Sequence, residues 1–159
     1  MSQREVRAFD YVNHPYEAVR EALRGDPGGI LAGATRVAEA RTSEIVASLS
    51  VDIKGIEVSK EISIRVGAIR EEEGPRLSRT THVALEWEAK GSPGLFPVMK
   101  ADLAIYPLSG TETQIELRGH YAPPLGALGG ALDALAGHRI AEASVHRFVG
   151  AVAEELRRR

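Results

Sequence analysis

The chain has 159 residues, no cysteine, 20 Lys and Arg against 22 Asp and Glu, and a formal net charge of -2. That length lets one domain bury roughly 70% of its unfolded surface without staples, and the missing thiols exclude disulfides and thiolate metal sites and suit a reducing cytoplasm. The balanced charge supplies no basic field for nucleic acid. The charged opening Met1-Ser2-Gln3-Arg4-Glu5-Val6-Arg7 lacks the apolar run of a signal peptide. The weakly apolar stretch from Tyr121 to Gly137 contains Asp133 and many Gly and Ala, so no membrane span is expected. Residues 1–159 are therefore read as a single cytoplasmic domain with no cofactor and no metal.

Val6 to Asn13 alternates as a first strand, with Phe9 and Tyr11 on one side and Ala8, Asp10 and Val12 on the other. Pro15 suits a first helical position capped by Asn13 or His14. Tyr16, Val19, Ala22 and Leu23 make a helical stripe that stops in Gly25-Asp26-Pro27-Gly28-Gly29. A second short helix is expected from Ile30 to Ala40, with Leu31, Ala34, Val37 and Ala38 on its apolar side.

From Glu44 the period changes to two. Ile45, Ala47, Leu49, Val51 and Ile53 share one face. Ile62, Ile64, Val66 and Ala68 follow, and Glu71-Glu72-Glu73-Gly74-Pro75 is expected to be a solvated loop tip. The next strand sets Thr81, Val83, Leu85 and Trp87 against Thr80, His82, Ala84 and Glu86. Met99, Ala101, Leu103 and Ile105 then oppose Lys100, Asp102 and Tyr106. Ser109-Gly110 turns the chain onto Thr113, Ile115, Leu117, Gly119 and Tyr121, which oppose Gln114, Glu116, Arg118 and His120. Such short connections make an antiparallel meander with one dry and one wet face.

The remainder, to Arg159, reads as one long helix ending in three arginines, cations that its dipole favours there. Ala141, Val145, Phe148, Val152 and Leu156 form its packing stripe. Towards the N-terminus the stripe meets Ala127, Gly130, Ala131, Ala134, Gly137 and His138, so this half of the inner face is nearly bare. Leu128, Leu132 and Leu135 fall on the opposite side. Either the helix bends near Gly137, or a partner protomer covers these leucines in a homodimer. One strand, two helices, a meander and a final helix bury their faces most economically as an α+β helix grip, a curved antiparallel sheet around the last helix.

The chain resembles the START and SRPBCC superfamily, whose helix-grip fold includes polyketide-cyclase/dehydrase-like and birch-pollen-allergen-like domains. The residues that carry the resemblance are Asn13-His14-Pro15-Tyr16-Glu17-Ala18-Val19, Leu95-Phe96-Pro97-Val98, Tyr106-Pro107-Leu108-Ser109-Gly110 and Gly119-His120-Tyr121-Ala122-Pro123-Pro124-Leu125-Gly126 leading into His138-Arg139-Ile140-Ala141. The resemblance implies a hydrophobic cavity between the sheet and the final helix, and no catalytic set is carried over with it. A cavity of about 300 Å³ would cost about 7 kcal/mol if left empty. The space is therefore collapsed, wet or occupied.

Read this way, the function is binding or transport of a small hydrophobic ligand such as a lipid, polyketide or isoprenoid. Its expected cavity residues are Phe9, Tyr11, Thr81, Trp87, Met99, Leu103, Thr113, Tyr121, Ala134, His138 and Ala141. Thr81, Thr113, Tyr121 and His138 are the polar groups on otherwise apolar faces, suited to orient a ligand. A cyclase or dehydratase with His138 or Tyr121 as general acid or base is one alternative. A collapsed container that serves as a protein-interaction module is another. His138, Glu142 and His146 lie along one helix edge, with the outer two about 12 Å apart, too far to converge on one metal ion.

Overall fold

The computed structural model describes residues 4–38, 61–74, 79–90, 99–121 and 134–159, with backbone alone for 61–63, 87–90, 134–137 and 140. The expected strand over 45–53, the turn expected at Gly91-Ser92-Pro93-Gly94 and the stretch 122–133 with Leu128 and Leu132 lie outside the described residues, as does the side chain of Leu135. The described elements are β1 (Arg4–Val12), α1 (Tyr16–Gly25), α2 (27–38), β2 (Glu61–Glu73), β3 (Arg79–Lys90), β4 (Met99–Pro107), β5 (Thr113–Tyr121) and α3 (Ala134–Arg157). The strands form one antiparallel sheet in the order β1-β5-β4-β3-β2. α3 packs against β1 and β5, and α1 crosses near β4. This is the helix-grip α+β architecture expected from the order of elements.

Pro15 precedes the first helix rather than opening it. Its backbone is extended (φ -59°, ψ 147°), its carbonyl accepts the Val19 N–H at 3.1 Å, and neither Asn13 nor His14 supplies a side-chain cap. Asp26-Pro27-Gly28-Gly29 breaks the chain for a single residue only. Asp26 Oδ1 accepts the Gly29 N–H at 3.0 Å, so the aspartate caps α2 and Pro27 occupies its first turn. Ile30, Leu31, Ala34 and Ala38 are buried on α2, whereas Val37 faces outward.

The alternation in β3, β4 and β5 holds, with Thr81, Val83, Leu85, Met99, Leu103, Ile105, Thr113, Ile115, Leu117 and Tyr121 all buried on the inner face. The α3 stripe Ala141, Val145, Phe148, Val152 and Leu156 is buried against the sheet side. Each of its larger side chains contributes about 1.5–3 kcal/mol by leaving water. Gly119 sits among them, where a Cβ would come within 2.7 Å of Met99 Sδ, so the glycine makes room for the methionine.

Two strand readings need correction. β2 runs on through Glu71, Glu72 and Glu73, which pair with Thr81, Thr80 and Arg79 of β3, and the exposed Glu71 also meets Arg20 at 2.5 Å and Arg24 at 2.7 Å on α1. Arg20 above all holds the Glu71 carboxyl below its ordinary range. The pairing of β2 with β3 also shifts between Val66 and Ile69. This bulge takes Ala68 off the inward parity and puts Ile69 on it, opposite Val83, while Val66 keeps its place opposite Leu85 and is 38% exposed there.

Inside the core, the Tyr16 and Thr81 hydroxyls share a hydrogen bond of 2.6 Å between α1 and β3. Replacing Tyr16 by Phe strands the Thr81 oxygen in an apolar surrounding, with an expected loss of about 1–2 kcal/mol in urea unfolding. Adding Thr81→Val should restore part of that loss, and strict additivity of the two changes would refute the coupling.

Candidate functional site

β1 lies beneath α3, and its narrow residues are the ones turned inward. Val6, Ala8 and Val12 are buried opposite Gly119, Leu117 and Thr113. Phe9 and Tyr11 are 50% and 51% exposed on the outer face, opposite Glu116 and Gln114. Their assignment to an internal cavity is thereby corrected. Large rings on the inner side of β1 would hold α3 off the sheet, whereas outside each has one arginine against its face. The Arg7 guanidinium lies 5.4 Å from the Phe9 ring centre and that of Arg157 5.7 Å from Tyr11.

The remaining expected site residues divide by what their polar atoms already do. Met99, Leu103 and Ala141 are fully buried and apolar. The Thr81 hydroxyl is engaged by Tyr16, and Thr113 Oγ1 donates to the His14 carbonyl at 2.8 Å, so both threonines tie elements together. Trp87 pairs in register with Met99 and Ala134 opens α3, but their side chains are outside the described residues.

Tyr121 and His138 come together. The Tyr121 side chain, 1% exposed at the end of β5, places its hydroxyl 2.9 Å from His138 Nδ1, with the two rings stacked at a centre distance of 6.3 Å. On the far side of the imidazole, Nε2 lies 3.1 Å from Glu142 Oε1, one helical turn further along α3. Burial raises the Tyr121 phenol above its ordinary range, against the nearby Arg4 guanidinium, which also hydrogen-bonds it and pulls it down. His146 continues along the helix edge, exposed. Among the described residues no cluster of metal-ligating side chains is present.

A second polar cluster escaped the sequence reading and lies on the outer face. His82, Ala104 and Glu116 form one cross-strand row, with Asp102 and Tyr106 flanking Ala104 along β4. The small alanine becomes the floor of a pit of about 280 Å³ walled by Thr80, His82, Asp102, Tyr106, Glu116 and Arg118. His82 Nδ1 lies 2.5 Å from Asp102. Glu116, 7% exposed, receives Arg7 and Arg118 on the same oxygen at 2.7 Å each, and the Tyr106 hydroxyl donates to its other oxygen at 3.4 Å.

No protein-family model matches the sequence, and no curated protein matches it. Solved structures with a similar course of the chain include the Zhui aromatase/cyclase from Streptomyces sp. R1128, at 15% identity over 99% of this chain and 96% of that one, with a TM-score of 0.44. Norcoclaurine synthase from Thalictrum flavum, in complex with dopamine and hydroxybenzaldehyde, is 10% identical over 96% and 86%, with a TM-score of 0.48. Ara h 8.0201 is 10% identical over 98% of each chain, with a TM-score of 0.44. Among the described residues no helix is long and apolar enough to cross a membrane.

Glu116 makes the outer cluster sensitive to acid. Burial pushes its carboxyl up, but Arg7 and Arg118 outweigh burial and hold it below the ordinary glutamate value of 4.5. Its stabilising effect is therefore present above that unfolded value and is lost as pH falls through the lower folded one. Glu116→Gln should be less stable than the parent at neutral pH and lose less stability on acidification. Urea midpoints at neutral pH and at about pH 3 test this, and an unchanged difference between the two proteins would refute it.

Proposed function

We propose that the protein holds a small, mostly apolar molecule, of the lipid, polyketide or isoprenoid kind, between the inner face of the sheet and α3. The observation that carries this reading is the Tyr121 hydroxyl. It is the polar group of an otherwise buried side chain, and it is bonded to a half-buried histidine on α3 rather than to a structural backbone group. The inward threonines, by contrast, are engaged in holding α1 and the β1–α1 turn. Apolar walls with one or two convergent polar groups are what small-molecule sites require.

The cyclase or dehydratase alternative uses the same two residues. It is favoured only by the hydrogen-bonded row from Tyr121 through His138 to Glu142. Binding without turnover needs fewer groups and is the first reading. The interaction-module and homodimer readings rest on Leu128, Leu132 and Leu135, whose side chains are outside the described residues.

Nile red titration tests the container, with Ala141→Trp as its control. Ala141 is fully buried on the α3 stripe, so an indole there would occupy ligand space. The parent should bind the dye saturably at one site, and the variant should bind it at least about tenfold more weakly while keeping its helix signal. Native mass spectrometry of gently purified parent protein should also find a stoichiometric apolar molecule. A parent that is empty and takes up no dye would overturn the reading, as would equal affinity in the two proteins.

A further inference from the structure

Three residues from three elements meet at the end of the sheet where α3 begins, and the ligand reading above leaves their combined chemistry unused. Arg4 on β1 stands directly opposite Tyr121 on β5 in the register, and Met99 on β4 is opposite Tyr121 on the other side. The row therefore runs from a cation through a phenol to an apolar side chain, all on one face. His138 reaches it from α3.

The hydrogen bonds give this group two states. Glu142 Oε1 accepts from His138 Nε2–H, which leaves Nδ1 of a neutral imidazole as an acceptor, so the Tyr121 hydroxyl donates to it. When the imidazole takes a proton from solvent, Nδ1–H becomes the donor. The Tyr121 oxygen then accepts, and its O–H is free to turn to another acceptor. In that second state the phenolic O–H and the remaining N–H groups of Arg4, whose guanidinium also hydrogen-bonds Tyr121, are donors at the edge of an apolar surface, and an imidazolium stands behind them. Such a set suits one oxygen anion, since charge-assisted bonds to a carboxylate or phenolate are about twice as strong as neutral ones.

The geometry points to a proton-linked receptor for an acidic oxygen group: Arg4 and Tyr121 hold the ionised end of an apolar ligand, and His138 takes up one proton from solvent as that end binds. The proton adds to the imidazole nitrogen, Glu142 retains the Nε2–H, and no bond of the ligand is made or broken. The ligand is thus an apolar molecule ending in a carboxylate or in an ionised phenol or enol. Among the described residues the charged groups facing this pair are Arg4 from β1 and Glu142 from α3, with β4 presenting Met99.

The inference rests on the ligand reading and is tested by calorimetry with 2-naphthoate, 2-naphthol and methyl 2-naphthoate, each in two buffers of different ionisation enthalpy. The acid should bind about tenfold more tightly than its ester and take up a fraction of a proton. 2-Naphthol, neutral in solution, would give up its own proton as His138 gains one, so naphthol binding tighter than the acid, with no net proton exchange, would assign the phenol or enol class. His138→Gln keeps an amide for hydrogen bonding but cannot be protonated, so the binding heat of the acid should no longer depend on the buffer. Tyr121→Phe should lower the ratio of acid to ester affinity about tenfold. Equal binding of acid, naphthol and ester with no proton exchange would overturn the receptor and leave the apolar container standing. Failure of all three to bind would remove both.

Discussion

The antiparallel pairing of β1 with β5 is the constraint on which the other contacts depend. It joins the beginning of the described chain to the last strand in a register that runs from Arg4 opposite Tyr121 to Val12 opposite Thr113. Among the described residues it is on that pair that α3 packs, over a floor of Val6, Ala8, Val12, Leu117 and Ile115. The same register sends Phe9 and Tyr11 outward and brings Arg4 beside the phenol. Inner packing, outer aromatics and the polar end of the inner face are three results of one alignment, and slipping it by a residue would invert all of them.

The inner face uses its few polar groups in two ways. Near α1 the hydroxyls of Tyr16, Thr81 and Thr113 are bonded to one another or to the turn at His14, which fastens the helices to the sheet. At the opposite end Tyr121 is bonded to an imidazole nitrogen that can either donate or accept. Fastening needs partners that never alter, whereas recognition profits from one that can. The outer face follows a third pattern, in which Glu116 is paired with two arginines and Asp102 with a histidine and an arginine.

Much of the architecture was legible because alternation in β3, β4 and β5 and the 3.6-residue stripe of α3 are strong, repeated signals. β1 misled because period two gives two faces without saying which is inward. Ring size suggested Phe9 and Tyr11, while closeness to a helix selected Ala8 and Val12. The bulge at Gly67 and Ala68 left no mark in the pattern, and Glu71 looked solvated until α1 placed Arg20 and Arg24 over it. Asp26-Pro27-Gly28-Gly29 read as a break because its cap depends on a bond from Gly29 rather than on composition. Tyr121 and His138 were visible as polar residues on apolar faces. Their meeting, like the pit above Ala104, required the three-dimensional alignment of elements far apart in the chain.

The far end of α3 carries a consequence for how the molecule assembles. Arg157 bonds to Asp10 and to the Tyr11 carbonyl, and the Arg157 carbonyl lies 3.2 Å from His14 Nε2, spanning sequence separations of 147, 146 and 143. Contacts of that span close large loops before they return any stabilisation, and chains rich in them cross their folding barrier slowly. Until α3 has been synthesised, β1 can pair with β5 but its inner side has no cover. A nascent chain halted before α3 would thus present Val6, Ala8 and Val12 to water. The waiting sheet, rather than the finished protein, is the species most exposed to aggregation and to chaperones.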